Sequence, residues 1–191
     1  MYKYIFTNQK AIGLFDDEIS TNKFSAITQI IGTCQNILHI FGEENCDTLR
    51  QICVNKAAKL LKKPDQCRAV AMSSNLFWNC KSRKDGISLR DGQKVTDCLR
   101  KCLKIAAQCV DTNAQFELHV EILNYYMFYF EAHLDQINHD MLAELVNKIR
   151  QDLPNVEKNA ETQMIVDHFN RTLNYIKLKA SSQSSCYHGI Q

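Results

Sequence analysis

Glycine and proline are scarce. The 191 residues include only 6 Gly and 2 Pro, where average usage of about 7% and 5% would supply roughly twice and five times as many. A sheet protein of this length needs many tight turns, and no Asn-Gly or Asp-Gly pair here joins two alternating apolar runs. Glycines at 13, 32, 42, 86, 92 and 189 cannot assemble G-x-G-x-x-G or G-x-x-x-x-G-K-[ST], which argues against dinucleotide-binding and P-loop enzymes. Long apolar runs are also missing. The longest, Ile122 to Phe130, falls well short of the roughly 20 residues that span a bilayer. No basic, apolar and small-residue sequence of a secretory signal opens the chain, so secretion is not expected. Its 9 cysteines then read as reduced thiols in a cytoplasmic setting.

With 45% hydrophobic and 23% charged residues, the composition is that of a folded protein, and the apolar positions recur at helical steps. Ile27, Ile30, Ile31, Cys34, Ile37, Leu38 and Phe41 form one stripe that Gly42 would end. Leu49, Cys53, Ala57 and Leu60 form a second, from near Asn45 to Lys62-Lys63-Pro64. Pro64 suits the first turn of a third helix, through Val70 and Ala71 to about Trp78. Residues 80–92 read as a basic loop. From Gln93, Val95, Leu99, Cys102, Leu103, Ala106 and Val110 share one face, and Asp111-Thr112 can cap the next helix.

That next helix is the most regular, with Phe116, Val120, Leu123, Met127, Phe130 and Leu134 on one seam. Ile122, Tyr125, Tyr126 and Tyr129 make its other flank apolar, so it should be covered on two sides. Leu142, Leu145, Ile149 and Leu153, closed by Pro154, predict a further helix. Ile165, Phe169, Leu173 and Ile176 predict the last, before a Ser-rich tail over 181–191. With a segment before Ile19, this gives about eight helices. An all-α chain of this pattern fits either a closed bundle or a HEAT-like solenoid of antiparallel hairpins of about 40 residues.

Charge is unevenly spread: residues 1–49 carry net −3, 50–104 net +10, 105–160 net −6 and 161–191 net +1. The basic middle could bind nucleic acid or another acidic surface, or could be an ordinary solvated face. Chemistry has little support. Cys98, Cys102 and Cys109 share a helix side, but structural zinc takes four ligands. The six histidines show no H-E-x-x-H spacing, and no G-x-S-x-G elbow is present. No catalytic residue, metal or cofactor is expected. Leu76-Phe77-Trp78 carries the only Trp, beside the basic loop, as either a core cap or a protein-binding anchor.

Specific segments then carry a resemblance. They are Asp17-Glu18-Ile19-Ser20, Ala26-Ile27-Thr28, Ile31-Gly32-Thr33, Lys59 to Gln66, Arg68-Ala69-Val70, Leu76-Phe77-Trp78, Leu103 to Ala106, Glu121 to Asn124, Lys148-Ile149-Arg150 and Asp152 to Asn155. Over residues 11–180 the sequence resembles the C-terminal part of the vacuolar protein sorting 35 family, the α-solenoid subunit of retromer. Residues 1–10 match poorly, and 181–191 would be a flexible tail. The resemblance implies a HEAT-like solenoid and a scaffold rather than an enzyme.

It also implies partners. The scaffold would cradle the metallophosphoesterase-like subunit vacuolar protein sorting 29, with Phe77, Trp78, Tyr125 and Tyr129 as candidate contacts. It would serve endosome-to-Golgi and endosome-to-plasma-membrane transport as a cytoplasmic protein peripheral on endosomes. Accessory proteins such as the WASH complex would be further partners, membrane contact would be indirect, and nucleic acid is not implied. The family pairs two copies through acidic residues against lysines, which places Asp16, Asp17 and Glu18 against Lys59, Lys62 and Lys63. The chain departs from the family pattern at Thr21-Asn22, next to those acidic residues.

Overall fold

The computed structural model describes residues 10, 12–13, 15, 22–37, 43–79, 88–181 and 187. Every element among them is helical: α1 (Lys23–Ile37), α2 (Glu43–Ala57), α3 (Lys63–Ser74), α4 (Gly92–Ala106), α5 (Thr112–Glu131), α6 (His139–Asp152) and α7 (Ala160–Ala180). Short 3-10 turns follow α3 (Asn75–Phe77) and α6 (Leu153–Asn155). The fold is all-α among the described residues. The expected helix end at Leu38, Phe41 and Gly42, the loop residues 80–87 and most of the tail lie outside the described residues.

The chain divides into two compact units, residues 1–105 and 106–191. In the first, α1, α2 and α3 pack on one another in sequence, and α1 also meets α3. Ile27, Ile31 and Cys34 of α1 and Cys53, Val54 and Ala57 of α2 form the shared interior. Each residue of that stripe recurs at three or four positions because that spacing returns a side chain to one face of a 3.6-residue helix. Pro64 sits in the first turn of α3 as expected, where its missing N–H costs nothing. The next helix is shorter than its stripe suggested. It stops at Ala106, the Cys109 amide turns back to the Ala106 carbonyl at 3.0 Å, and Val110 is 98% exposed.

In the second unit each helix starts on a side-chain cap. Asp111 accepts from the Asn113 and Ala114 amides at 2.9 and 3.3 Å at the head of α5. Asn138 accepts from Met141 N at 3.0 Å for α6. Asn159 and Thr162 bond reciprocally at 3.1 and 2.9 Å for α7, a capping box that satisfies donors the first turn leaves over. The far end of α5 closes on His133, which takes φ 58. Its amide returns to Phe130 O at 3.1 Å, and that of Leu134 returns to Tyr129 O at 3.0 Å. This is a C-terminal stop in which His fills the left-handed position that Gly usually takes.

The seam of α5 is buried at Phe116, Val120, Leu123 and Met127, and so are Ile122, Tyr126 and Tyr129 on the other flank. This long helix is therefore covered on two sides, by α6 and by α7. Three hydrogen bonds link residues 44 apart: Asn113 to Glu157, Asn124 to His168 and Glu131 to Tyr175. A constant difference, rather than a constant sum, means α5 and α7 run parallel in fixed register. The intervening α6 is the return stroke.

Candidate interaction surfaces

Two surfaces stand out, one in each unit. The first is the corner between α2 and α3. After Ala57 the backbone turns through Lys59 N to Lys56 O at 3.1 Å and Leu60 N to Ala57 O at 3.3 Å. Gln66 secures the turn, its amide donating to Leu60 O while its carbonyl oxygen accepts from Lys63 Nζ at 3.4 Å. This leaves Leu61 79% exposed among Lys59 and Lys62, both exposed, and Lys63, half-buried. The three lysines named from the sequence are thus brought together, around an apolar knob the sequence reading missed. Their expected counterparts Asp16, Asp17 and Glu18 lie outside the described residues.

The second surface is a groove of about 530 Å³ between the parallel helices α5 and α7. Asn124, Met127, Phe128 and Glu131 line one wall, and His168, Arg171, Thr172 and Tyr175 the other. Hydrogen bonds tie the walls together at both ends. Asn124 Nδ2 donates to His168 Nε2 at 3.0 Å, and Tyr175 Oη donates to Glu131 Oε1 at 2.7 Å. Between these ties Phe128 is 48% exposed, its ring standing edge-on to Tyr129 at 5.0 Å. The exposed rim of α7 continues the groove in both directions, with Met164 71% and Leu178 73% exposed. Met164, His168, Arg171, Tyr175 and Leu178 follow a four-three-four-three spacing, the repeat of a helix seam.

Glu131 also accepts from Tyr187 Oη at 2.8 Å. Tyr187 belongs to the segment expected to be a flexible tail, yet it is 1% exposed, with its ring edge-on to Phe130 at 5.2 Å and to Tyr175 at 6.4 Å. The carboxylate beside Tyr175 pushes its phenol up from 10.0, because ionising the phenol would give up the hydroxyl hydrogen that Glu131 accepts.

The four aromatics proposed from the resemblance are placed differently from one another. Phe77 and Trp78 are 4% and 5% exposed and Tyr129 is fully buried. Trp78 has Arg90 over its ring at 5.3 Å. These three pack the interior, because the 3-10 turn after α3 points Phe77 and Trp78 inward and Tyr129 lies on the covered flank of α5. Tyr125 alone is half-buried. The large aromatics exposed on α5 and α7 are Phe128 and Tyr175, which the sequence reading did not single out.

His119, two turns into α5 and 3% exposed, puts Nδ1 3.1 Å from Asp152 Oδ2, and Asp152 Oδ1 accepts from Lys148 Nζ at 2.6 Å. Burial pushes the imidazole down from 6.5, outweighing the pull of Asp152 in the other direction. The unfolded chain therefore takes up this proton first. Stability should fall as pH drops through about 6.5 and level off below the folded value. Urea midpoints at ~pH 7.5 and ~pH 5.5 should differ less in His119→Asn than in the parent. An equal pH dependence in both would show that His119 does not carry it. Of the described cysteines, Cys34, Cys46, Cys53, Cys67, Cys98 and Cys102 are buried and Cys109 half-buried. Burial raises Cys98 to about 12. No group of three or more metal-ligating side chains occurs among the described residues, and none of their helices is long and apolar enough to cross a membrane.

Comparison with known proteins covers most of this architecture. The family profile described as vacuolar protein sorting-associated protein 35 matches residues 2–152. Vacuolar protein sorting-associated protein 35A of Arabidopsis thaliana is 41% identical over 158 residues, 78% of this chain and 19% of that protein. Its paralogue 35B is 40% identical over 187 residues, 91% and 22% of the two chains. The Schizosaccharomyces pombe protein is 30% identical over 166 residues, 86% and 20%. The chain spans about a fifth of the length of these curated relatives.

Proposed function

The chain belongs to the vacuolar protein sorting-associated protein 35 family, and from that premise we propose that it is a non-enzymatic, HEAT-like scaffold of the retromer type. Its role is to hold a vacuolar protein sorting 29-type subunit and so support retrieval of membrane cargo from endosomes to the Golgi and plasma membrane. It works as a cytoplasmic protein, reaching the membrane indirectly and meeting accessory assemblies such as the WASH complex.

The observation that carries the scaffold reading is the 44-residue register of α5 and α7. A parallel helix returning every 40 to 47 residues is the repeat of a HEAT-type array, which presents like helices along one face for a large partner. The α5–α7 groove is the seat we assign to that partner, because an exposed ring between polar clamps is the usual build of a protein-binding anchor. Pull-down of a purified vacuolar protein sorting 29-type subunit by the folded chain tests the assignment. A folded chain that captures none refutes it.

Self-association is assigned to the α2–α3 corner, where Leu61 stands among Lys59, Lys62 and Lys63, facing the acidic Asp16, Asp17 and Glu18 of a second copy. Exposed ion pairs contribute only about 0.2 to 1 kcal/mol each, so the dimer is weak and salt-sensitive. Lys59→Glu with Lys62→Glu and Lys63→Glu should give a monomeric sedimentation profile at low salt. An unchanged profile would remove the corner from the assembly.

A further inference from the structure

Cys34 of α1 and Cys53 of α2 face each other across the first hairpin, with Cys53 Sγ 3.9 Å from Cys34 Sγ. Both side chains are 0% exposed, and neither belongs to the surfaces described above. We propose that this pair is an oxidation site, which a hydroperoxide converts to a disulfide that staples α1 to α2.

The chemistry needs one oxidant and no other component. Cys34 as thiolate attacks one oxygen of hydrogen peroxide and breaks the O–O bond. This gives a sulfenic acid and hydroxide, which takes up the proton that Cys34 released and becomes water. Cys53 then attacks the Cys34 sulfur, a second water leaves, and the S–S bond forms. Two thiols and one peroxide become one disulfide and two waters. The sulfurs need to approach from 3.9 Å to about 2.05 Å. Cys34 is the nucleophile of the pair, since the Cys53 thiol donates to its thiolate and lowers its pKa despite burial.

A second close pair in the same unit supplies the contrast. Cys67 Sγ and Cys102 Sγ each donate to the other residue's backbone carbonyl, at 3.6 and 3.4 Å. The Cys102 thiol is raised well above 9.0, held in its neutral form by the bond it makes and by burial. Proximity alone would oxidise both pairs. What selects the first is that the Cys53 thiol donates to the Cys34 sulfur itself, whereas the Cys67 and Cys102 thiols each donate to a carbonyl. Because Cys34 and Cys53 are closed to solvent, peroxide reaches them through local opening of the hairpin, so reaction is slow and accelerates with opening.

The test treats the full, reduced chain with hydrogen peroxide under conditions that leave its helical circular dichroism unchanged. Remaining thiols are then alkylated and the chain is digested without reductant. Mass spectrometry should find the Cys34 and Cys53 peptides linked and lighter by two hydrogens, with Cys67 and Cys102 still alkylated. The linked protein should melt at a higher temperature than the reduced one, and dithiothreitol should reverse both changes. Low urea, below the unfolding transition, should speed linkage, and Cys34→Ser should abolish it while keeping the helical signal. A disulfide joining Cys67 to Cys102 instead would overturn the proposal, as would Cys34 and Cys53 recovered fully alkylated after Cys109 has been oxidised.

Discussion

Phe169→Ala should cost the second unit about 3 to 5 kcal/mol, the range for removing a large buried ring. Phe169 is 1% exposed at the centre of α7, a helix that packs against α5. Thr172 and Ile176 extend the same buried face, so no neighbouring side chain is idle and able to fill the space. A cavity there removes contacts from both helices at once, and the side-chain ties Asn124–His168 and Glu131–Tyr175 fix the spacing of the helices, which limits collapse. Against a usual total of about 5 to 15 kcal/mol, that loss consumes a large share of the unit's stability. The urea midpoint should fall sharply with little change in slope. Met164→Ala, on the same helix at 71% exposure, should stay within about 0.5 kcal/mol. Equal losses for the two would mean that α7 does not pack as described.

That contrast shows where the sequence was legible. Helices α2 to α7 could be read because their buried positions are strongly apolar at a fixed period: Leu99 and Cys102, Leu142 and Ile149, Phe169 and Ile176 are all buried. The punctuation was legible too, since Pro64 and Asp111 act through backbone chemistry that depends on residue type alone. Val110 misled because it falls in phase with the α4 stripe while the chain has already turned at Cys109. Period carries no information about where the hydrogen-bond ladder stops.

The surfaces proposed for binding were less legible for a different reason. Trp78 and Tyr129 drew attention as large aromatics, but residue type does not say which way a turn or a helix flank faces, and both are buried. The α7 rim, Met164, His168, Arg171, Tyr175 and Leu178, mixes apolar, basic and polar side chains, so no apolar stripe marks it. Its signal is the 44-residue register with α5, a property of pairs that becomes visible only when two helices lie side by side.

Phe128→Ala should weaken capture of a vacuolar protein sorting 29-type subunit by about 2 kcal/mol or more, a loss of roughly thirtyfold in affinity. Three features make this ring the anchor of the α5–α7 groove. It is 48% exposed in the free chain, so burying it against a partner removes apolar surface from water. Its edge-on contact with Tyr129 at 5.0 Å holds it rigid, which lowers the entropy lost on binding. The hydrogen-bonded ties at either end of the groove fix the walls around it, so the seat exists before a partner arrives. Because the ring is not part of the interior, its removal should leave the urea midpoint within about 0.5 kcal/mol of the parent. Loss of capture with stability intact separates this effect from the collapse expected of Phe169→Ala. Tyr125→Ala, on the half-buried side of α5, should bind more nearly like the parent. A Phe128→Ala chain that captures the subunit as well as the parent would place the seat elsewhere on the scaffold.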